Sequence, residues 1–471
     1  MNNKKPLIYG LRKANVGARI TVTKLKCKKK TSGKKELKKR GKSDSILRNE
    51  RKGKRDKMEK RMLPKQIIEE MRKKIGSYEF KIEHRKRAAD FSRESILEIQ
   101  DVMCIVLNLV KSSAAIEMYK YFERKGSKES VTGNGLKEAR KKVSHTAFEE
   151  LFKDGVRAAM EAEDMRYFRG YRAMGIDGST ELLEYSEALK KEFGEITPRA
   201  GDVYARISTC VDVVNGFVAD GIIAPYSTGE RELAKQHIDN ITDEKALYLM
   251  DRGYWSPELA AKIADKGQKF LIRLASNAIP KVTASRQDSG HISVAHKGKD
   301  YRFRYYKFML KSGEMEYLLT NLTEDEVSDS ELGDLYWLRW GIETKYAEIK
   351  EKLQLENLSG KTPLFVKQDF FATLWVVNMI CFMTIAAESD MPDRQRQYKY
   401  KPNKNFSIAV FRHSFISIVV EDHPLKRDIL LHRLISEISK NIVPIRPDRL
   451  FHPRNSNRTI HRNYMSKKSP L

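Results

Sequence analysis

The chain has 471 residues and carries 90 Lys+Arg against 63 Asp+Glu, a formal charge of +27. A hydrophobic fraction of 40% excludes a wholly disordered protein, and the length predicts two to four domains at roughly 100–200 residues each. The four cysteines are scattered without a CxxC pair, which excludes a zinc finger or a disulfide scaffold and favours a reducing compartment. Residues 1–60 carry +18 and residues 441–471 carry +6. Such cationic ends predict a polyanionic partner, either nucleic acid or an anionic membrane.

Residues 1–60 are predicted to form a disordered basic arm. The stretch KLKCKKKTSGKKELKKRGK has no sustained apolar period, and no apolar segment typical of a signal peptide precedes it. A tail that only maintains solubility and an arm that contacts nucleic acid fit this pattern equally well. A third interpretation is an in-frame extension upstream of a start at Met58 or Met62.

Residues 61–165 have a helical period and are predicted to form a helical N-terminal domain, with DNA binding as its expected role. After the turn Gly133-Asn134-Gly135, the segment LKEARKKVSHTAFEELF places Lys137, Arg140 and Lys141 on one short helix. This order suits a helix-turn-helix that reads a major groove. One more basic helical surface is an equally good interpretation of the pattern.

Strand patterns begin near residue 170 and predict a mixed α/β core over residues 166–388. One strand is expected to end at Asp177 and another, ALYLM, at Asp251. Asn215-Gly216 joins two apolar runs and predicts a type I′ hairpin. Residues 277–320 alternate aromatic and charged side chains, which indicates an antiparallel β insertion, and residues 389–471 are expected to form a C-terminal helical region with a basic tail.

One apolar stretch, residues 370–387, approaches the length of a membrane span. Thr373, Asn378 and Thr384 interrupt it, and the sequence holds no second span to pair with it. A buried core helix is therefore the preferred interpretation, and no membrane partner is expected.

Four polar residues recur at fixed spacing after residue 328, in the segment YWLRWGIETKYAEIK. On one continuous helix Tyr336, Arg339, Glu343 and Lys350 would share a narrow stripe beside an apolar one. Arg339 and Glu343 alone would more often be a surface i,i+4 ion pair worth a few tenths of a kcal/mol. All four residue types at this spacing occur together by chance far less often than the Arg–Glu pair alone.

These four residues resemble the Tyr-Arg-Glu-Lys signature of DDE transposases of the insertion-sequence-4 family. The phrases GIDGST around Asp177, MDRGY around Asp251, LLTNL and VPIRPDR resemble the same family. The resemblance implies a ribonuclease-H-like core in which Asp177, Asp251 and Glu343 are catalytic, metal-binding carboxylates. It also implies that Tyr336, Arg339 and Lys350 contact DNA phosphates. Residues 277–320 contain no Trp to stack a flipped base in a hairpin route, and Phe303, Tyr305 and Tyr306 are candidate replacements.

The chemistry expected from these residues is cleavage of a phosphodiester with two Mg²⁺ ions, with Mn²⁺ as a substitute, because hard cations prefer carboxylate oxygens. The leading interpretation is a transposase that binds terminal inverted repeats and performs strand cleavage and transfer. Its expected partner is double-stranded DNA, with a homodimer in the DNA complex and a cytoplasmic, nucleoid-associated location. A decayed or repurposed DNA-binding protein and a ribonuclease-H-like nuclease without strand transfer stay as alternatives.

Overall fold

The computed structural model describes residues 62–108, 114–129, 131–195, 202–310, 313–339, 341–342, 345, 360–391 and 398–445. The predicted basic arm, the end of the predicted basic tail, Glu343 and Lys350 therefore lie outside the described residues. Before the sheet the described chain is helical, with α1 (62–75), α2 (Tyr78–His84), α3 (Ile99–Leu107), α4 (Ala114–Lys125), α5 (Gly133–Lys141) and α6 (Thr146–Glu161).

An eight-stranded mixed sheet follows these helices, in the order β3-β2-β1-β4-β5-β8-β7-β6. The strand β2 runs antiparallel to both β1 and β3, whereas β4 runs parallel to β1 and β5. This arrangement of the first five strands is the predicted ribonuclease-H-like topology. Those strands are β1 (Arg172–Leu183), β2 (Val203–Asp212), β3 (Phe217–Pro225), β4 (Ala246–Met250) and β5 (Lys269–Leu274).

The predicted β insertion extends the same sheet. Its strands are β6 (Ser289–His296), β7 (Lys299–Met309) and β8 (Met315–Thr320), and β8 pairs antiparallel with β5. The helices between strands are α7 (Glu187–Phe193), α8 (Glu230–Asn240), α9 (Pro257–Asp265) and α10 (Pro280–Ala284). After the sheet come α11 (Asp329–Trp337), α12 (Pro363–Glu388), β9 (Lys399–Pro402), α13 (Lys404–Val420), α14 (Pro424–Lys440) and β10 (Ile442–Ile445), and β9 pairs with β10.

The helix α12 contains the apolar stretch of the sequence and lies in the core, as predicted. Within the described residues it is the one helix long and apolar enough to cross a membrane, but 89% of its most apolar window is buried by the protein. It approaches β3 closely, because a Cβ added at Gly221 would lie 2.2 Å from a Leu374 methyl carbon. The Asn378 amide exchanges two hydrogen bonds, of 2.7 and 2.8 Å, with the backbone of Val218. A buried amide thus satisfies backbone groups of the edge strand.

The two faces of the sheet contact different sets of side chains. Met174 and Ile176 of β1 join the large core that contains α6 and α12. Ala173, which directly precedes Met174, joins a smaller cluster with Leu335 and Tyr336 of α11. Because strand side chains alternate, the odd-numbered residues along this part of β1 face α11.

Two local predictions were wrong. The strand β1 does not end at Asp177 but continues to Leu183, because residues 178–183 keep pairing with β2. The connection from β2 to β3 is longer than a two-residue type I′ turn. Gly216 has a positive φ of 82°, whereas Asn215 does not. The reason is that the Asp212 carboxylate accepts the N–H groups of Val214 and Asn215, which holds the chain in a wider loop.

Candidate active site

The sheet register aligns the two predicted aspartates. The strands β1 and β4 pair in parallel from Arg172 with Ala246 to Gly175 with Leu249. If this register is extended by two residues beyond its last pair, Asp177 is level with Asp251. Ala173 and Leu249 belong to the smaller cluster, on the face toward α11. Asp177 and Asp251 follow them by an even number of residues, so strand alternation places both aspartates on that same face. Adjacent parallel strands therefore present two carboxylates on one face, near the carboxyl end of β4.

Both aspartates have local backbone support and solvent contact. The Asp177 Oδ1 atom accepts a 2.9 Å hydrogen bond from the Gly178 N–H, and the residue is half-buried. The Asp251 Oδ1 atom accepts a 2.8 Å hydrogen bond from the Arg252 N–H at the start of a 3₁₀ turn, and its side chain is 39% exposed. Each carboxylate accepts a hydrogen bond from the next residue's backbone N–H, and each residue is partly exposed.

Tyr336, the first residue of the Tyr-Arg-Glu-Lys signature, contacts an aspartate directly. Its hydroxyl donates a 3.3 Å hydrogen bond to Asp251 Oδ1. Burial raises the pKa of the Tyr336 phenol, and the nearby Asp251 carboxylate adds to this, against the opposing effect of Arg339. The Arg339 guanidinium lies 5.5 Å from the centre of the Tyr336 ring, and Arg339 is buried. The end of α11 therefore places a neutral phenol beside Asp251, and the Arg339 cation lies next to the ring of that phenol.

Arg273 of β5 is a member of this site that the sequence reasoning missed. The register that pairs Met250 with Ile272 brings Arg273 level with Asp251, and its Nη1 atom lies 3.8 Å from Asp251 Oδ1. Arg273 also forms an ion pair with Glu316 of β8, which raises the pKa of the guanidinium although burial alone would lower it. The available signal was an arginine directly after the apolar run FLI of the strand KFLIRL.

Tyr336 and Arg339 do not lie on one continuous α-helix, which the predicted stripe required. The helix α11 ends at Trp337, and the chain then turns through hydrogen bonds of the i to i+3 type, from Gly341 to Leu338 and from Ile342 to Arg339. Such bonds give a tighter helix than the 100° per residue assumed for the stripe. Ile342 reaches the aspartate face of β1, because a Cβ added at Gly175 would lie 3.3 Å from Ile342 Cβ. Glu343 and Lys350 follow in the sequence, outside the described residues.

The donor set at the two aspartates fits a hard divalent cation. It consists of carboxylate oxygens on one face, and both side chains retain exposure. The third predicted ligand, Glu343, lies outside the described part of the chain. Within that part, one group of three side chains has the spacing of metal ligands, namely Glu83, His84 and Glu150. This group belongs to the helical region, and the Lys74 ammonium already forms an ion pair with Glu150.

The three basic residues predicted on α5 have different environments. The Arg140 side chain faces inward: its guanidinium donates to the Gln368 side chain at 2.6 Å and to the Phe365 carbonyl at 3.1 Å, and it forms an ion pair with Asp369. Lys137 and Lys141 are exposed, and Lys141 pairs with Glu138 at 2.7 Å. Arg140 therefore joins α5 to α12, while Lys137 and Lys141 face solvent.

Residues 202–379 match the family described as the transposase DDE domain. This region contains Asp251, the signature residues and most of the sheet, and it begins after β1. The middle of the chain is thus similar to the domains that carry DDE transposase chemistry.

Parts of the chain are also similar to two curated transposases. The chain is 23% identical over 281 residues to the transposase InsG of insertion sequence element IS4 from Escherichia coli (strain K12), which covers 55% of this chain and 63% of the relative. It is 41% identical over 63 residues to a transposase of insertion sequence element IS421 from Escherichia coli, covering 13% and 17%. A solved piggyBac transposase synaptic complex with hairpin DNA aligns at 12% identity with a TM-score of 0.45, over 79% of this chain and 85% of that one.

Proposed function

We propose that this chain is a transposase that binds the terminal inverted repeats of an insertion sequence, cleaves the DNA there and joins the freed end to target DNA. The observation that carries the proposal is the level placement of Asp177 and Asp251 on one sheet face, beside Tyr336 and Arg339. The similarity of residues 202–379 to transposase DDE domains supports it. The expected setting is the nucleoid in the cytoplasm.

Asp177, Asp251 and Glu343 would hold two Mg²⁺ ions, or Mn²⁺ as a substitute, which when bound would supply an activated water and stabilise the departing 3′ oxygen. Ile342, the residue before Glu343, already lies over the aspartate face at Gly175. Arg339 and Lys350 are proposed to hold phosphates near the scissile bond, since guanidinium and ammonium groups both bind phosphate. Tyr336 would orient the Asp251 carboxylate through its hydroxyl and so keep one oxygen directed at the site.

DNA recognition is proposed to use the helical region. Lys137 and Lys141 stand on the exposed side of α5, and exposed Lys142 follows directly. The Lys86 N–H donates a 2.9 Å hydrogen bond to the Lys142 carbonyl, so exposed Lys86 belongs to the same surface. Cations clustered on one face suit a phosphate backbone. Joining two element ends in one complex requires at least two protomers, so a homodimer on DNA is proposed.

The decisive test uses the purified chain and a duplex that carries the inverted repeats flanking its coding region. Asp251→Asn and Glu343→Gln keep side-chain shape and remove negative ligands. Cleavage in Mg²⁺ should fall by orders of magnitude in both variants, while binding of the end duplex persists. Glu258→Gln, an exposed acid at the start of α9, serves as the matched control and should cleave normally.

The alternatives give different results in the same assay. Undiminished cleavage by Glu343→Gln would remove the assignment of the site. A wild-type chain that binds the end duplex but cleaves it neither in Mg²⁺ nor in Mn²⁺ would be a DNA-binding protein without catalysis. Cleavage without joining to a target duplex would favour a ribonuclease-H-like nuclease.

A further inference from the structure

A chain of three buried polar side chains lies under the aspartate strand, on the face opposite Asp177. The His237 Nδ1 atom of α8 is 2.7 Å from Asp220 Oδ2 on β3, and its Nε2 atom is 2.9 Å from the Ser208 Oγ atom on β2. The Ser208 hydroxyl donates a 3.2 Å hydrogen bond to the Asp177 carbonyl oxygen. This series of hydrogen bonds therefore ends at the backbone carbonyl of Asp177, the proposed metal ligand.

A serine, a histidine and an aspartate bonded in this order resemble a hydrolytic triad. Their burial excludes that role. Ser208, His237 and Asp220 are 1%, 0% and 5% exposed. A nucleophile that no substrate can reach cannot act on one. The group instead consists of polar atoms in the core that satisfy one another.

Asp220, the residue of this series farthest from Asp177, has a further hydrogen-bond partner. Asp220 also accepts a 2.9 Å hydrogen bond from the Asn240 amide. Burial alone would raise the pKa of Asp220, but the hydrogen bonds from His237 and Asn240 hold it below its ordinary value. A charged carboxylate thus fixes the imidazole, and the imidazole fixes the Ser208 hydroxyl.

Ser208, at the other end of the series, contacts β1 at the peptide between Asp177 and Gly178. Gly178 follows Asp177, and glycine restricts the backbone less than any other residue. A Cβ at Gly178 would lie in ordinary van der Waals contact, 3.4 Å from Glu230 Cγ. The Ser208 hydroxyl, which holds the carbonyl between Asp177 and Gly178, limits rotation of that peptide.

We infer that Ser208, His237 and Asp220 are positioning residues that fix the Asp177 peptide, and through it the direction of the Asp177 carboxylate toward a divalent cation. The inference rests on the proposed function, in which Asp177 is a metal ligand. Outer partners of metal ligands typically change affinity by roughly 10–100-fold when they are removed. Because the contact here is to the backbone, we expect an effect of about tenfold.

The test compares Ser208→Ala and His237→Gln with Asn378→Ala, in the full chain. Asn378 is the matched control because it is also buried and bonded to the backbone of a strand, at Val218 of β3, but it does not contact Asp177 or the residues that hold it. Three quantities are measured for each: the melting temperature, the equilibrium binding of Mn²⁺ followed by electron paramagnetic resonance, and the Mg²⁺ concentration that gives half-maximal cleavage. Ser208→Thr keeps the hydroxyl and tests rescue.

Ser208→Ala and His237→Gln should weaken Mn²⁺ binding and raise the half-maximal Mg²⁺ concentration about tenfold. Asn378→Ala should lower the melting temperature without changing either metal property, and Ser208→Thr should bind Mn²⁺ like the wild type. Unchanged Mn²⁺ binding by Ser208→Ala would overturn the inference even if His237→Gln failed to fold. Asp177→Asn separates the two hypotheses: if it also binds Mn²⁺ like the wild type, the proposed metal site itself fails.

Discussion

The two faces of the central sheet differ in composition although the same strands form both. The face toward α6 and α12 buries apolar residues such as Met174, Ile176 and Met250. The face toward α11 begins equally apolar, with Ala173 and Leu249, and then changes to Asp177 and Asp251. Alternation along a strand thus puts a core residue and a proposed catalytic residue next to each other in sequence. We expect substitutions one position apart to affect different properties.

The largest contrast is expected between Asp177→Asn and Ile176→Ala. Asp177→Asn should abolish most Mg²⁺-dependent cleavage and leave the melting temperature nearly unchanged, because the side chain lies at a half-exposed site. Ile176→Ala should lower the free energy of unfolding by about 2–5 kcal/mol, because it leaves a cavity in the large core. Denaturant unfolding and a cleavage assay per folded molecule measure the two effects. Equal effects of both variants on both properties would contradict the separation of the faces.

Tyr336→Phe tests the contact between α11 and Asp251. The variant removes one hydrogen bond to a carboxylate, for which about 1.5–3 kcal/mol is typical, so cleavage should fall by roughly one to two orders of magnitude. Tyr306→Phe is the control, because Tyr306 packs on the same cluster from β7. Single-turnover cleavage at saturating Mg²⁺ provides the comparison, and equal rates for both variants would show that the Tyr336 hydroxyl has no role.

Arg140→Ala and Lys141→Ala extend the comparison to α5. Arg140 bonds three groups of α12, so its loss should lower the free energy of unfolding by about 1–3 kcal/mol. Lys141→Ala should leave stability within about 0.5 kcal/mol and weaken binding to DNA duplexes at low salt. Thermal unfolding and a salt titration of binding distinguish them. A stable Arg140→Ala variant with impaired DNA binding would reverse this assignment.

The smallest expected effect is a pH dependence at Glu326, in the loop before α11. Burial alone would raise the pKa of Glu326, but hydrogen bonds from Lys269, Tyr171 and the Thr323 N–H lower it to about 2, from an ordinary value of 4.5. Because the folded state binds this proton less readily, Glu326 stabilises the fold above about pH 4.5, and this contribution is lost as the pH falls toward about 2. Denaturant unfolding between pH 3 and 6 should therefore show a weaker pH dependence for Glu326→Gln than for the wild type.

Much of the architecture could be predicted from local patterns. Apolar runs bounded by turn residues predicted the strands, and the helical pattern expected from Ser328 onward does begin there, with Ser328 as the N-cap of α11. The length and apolar character of residues 370–387 indicated a core helix, which α12 is. These features succeed because periodicity and capping depend on residues close in sequence. The pairing of Asp177 with Asp251 came from motif resemblance, and the sheet register supplies a physical reason for it.

Other features depended on contacts between distant segments. No local pattern shows that Arg140 would turn to Asp369, or that Arg273 would face Asp251, because those partners lie far away in the chain. A uniform helical period does not predict the turn after Trp337. This turn is accompanied by packing of Ile342 against Gly175, which is distant in the sequence. The sequence by itself determined which residue types and elements exist. The tertiary structure decided which face each polar side chain occupies, since only the strand register and helix docking bring Ser208, His237 and Asp220 beneath the strand that carries Asp177.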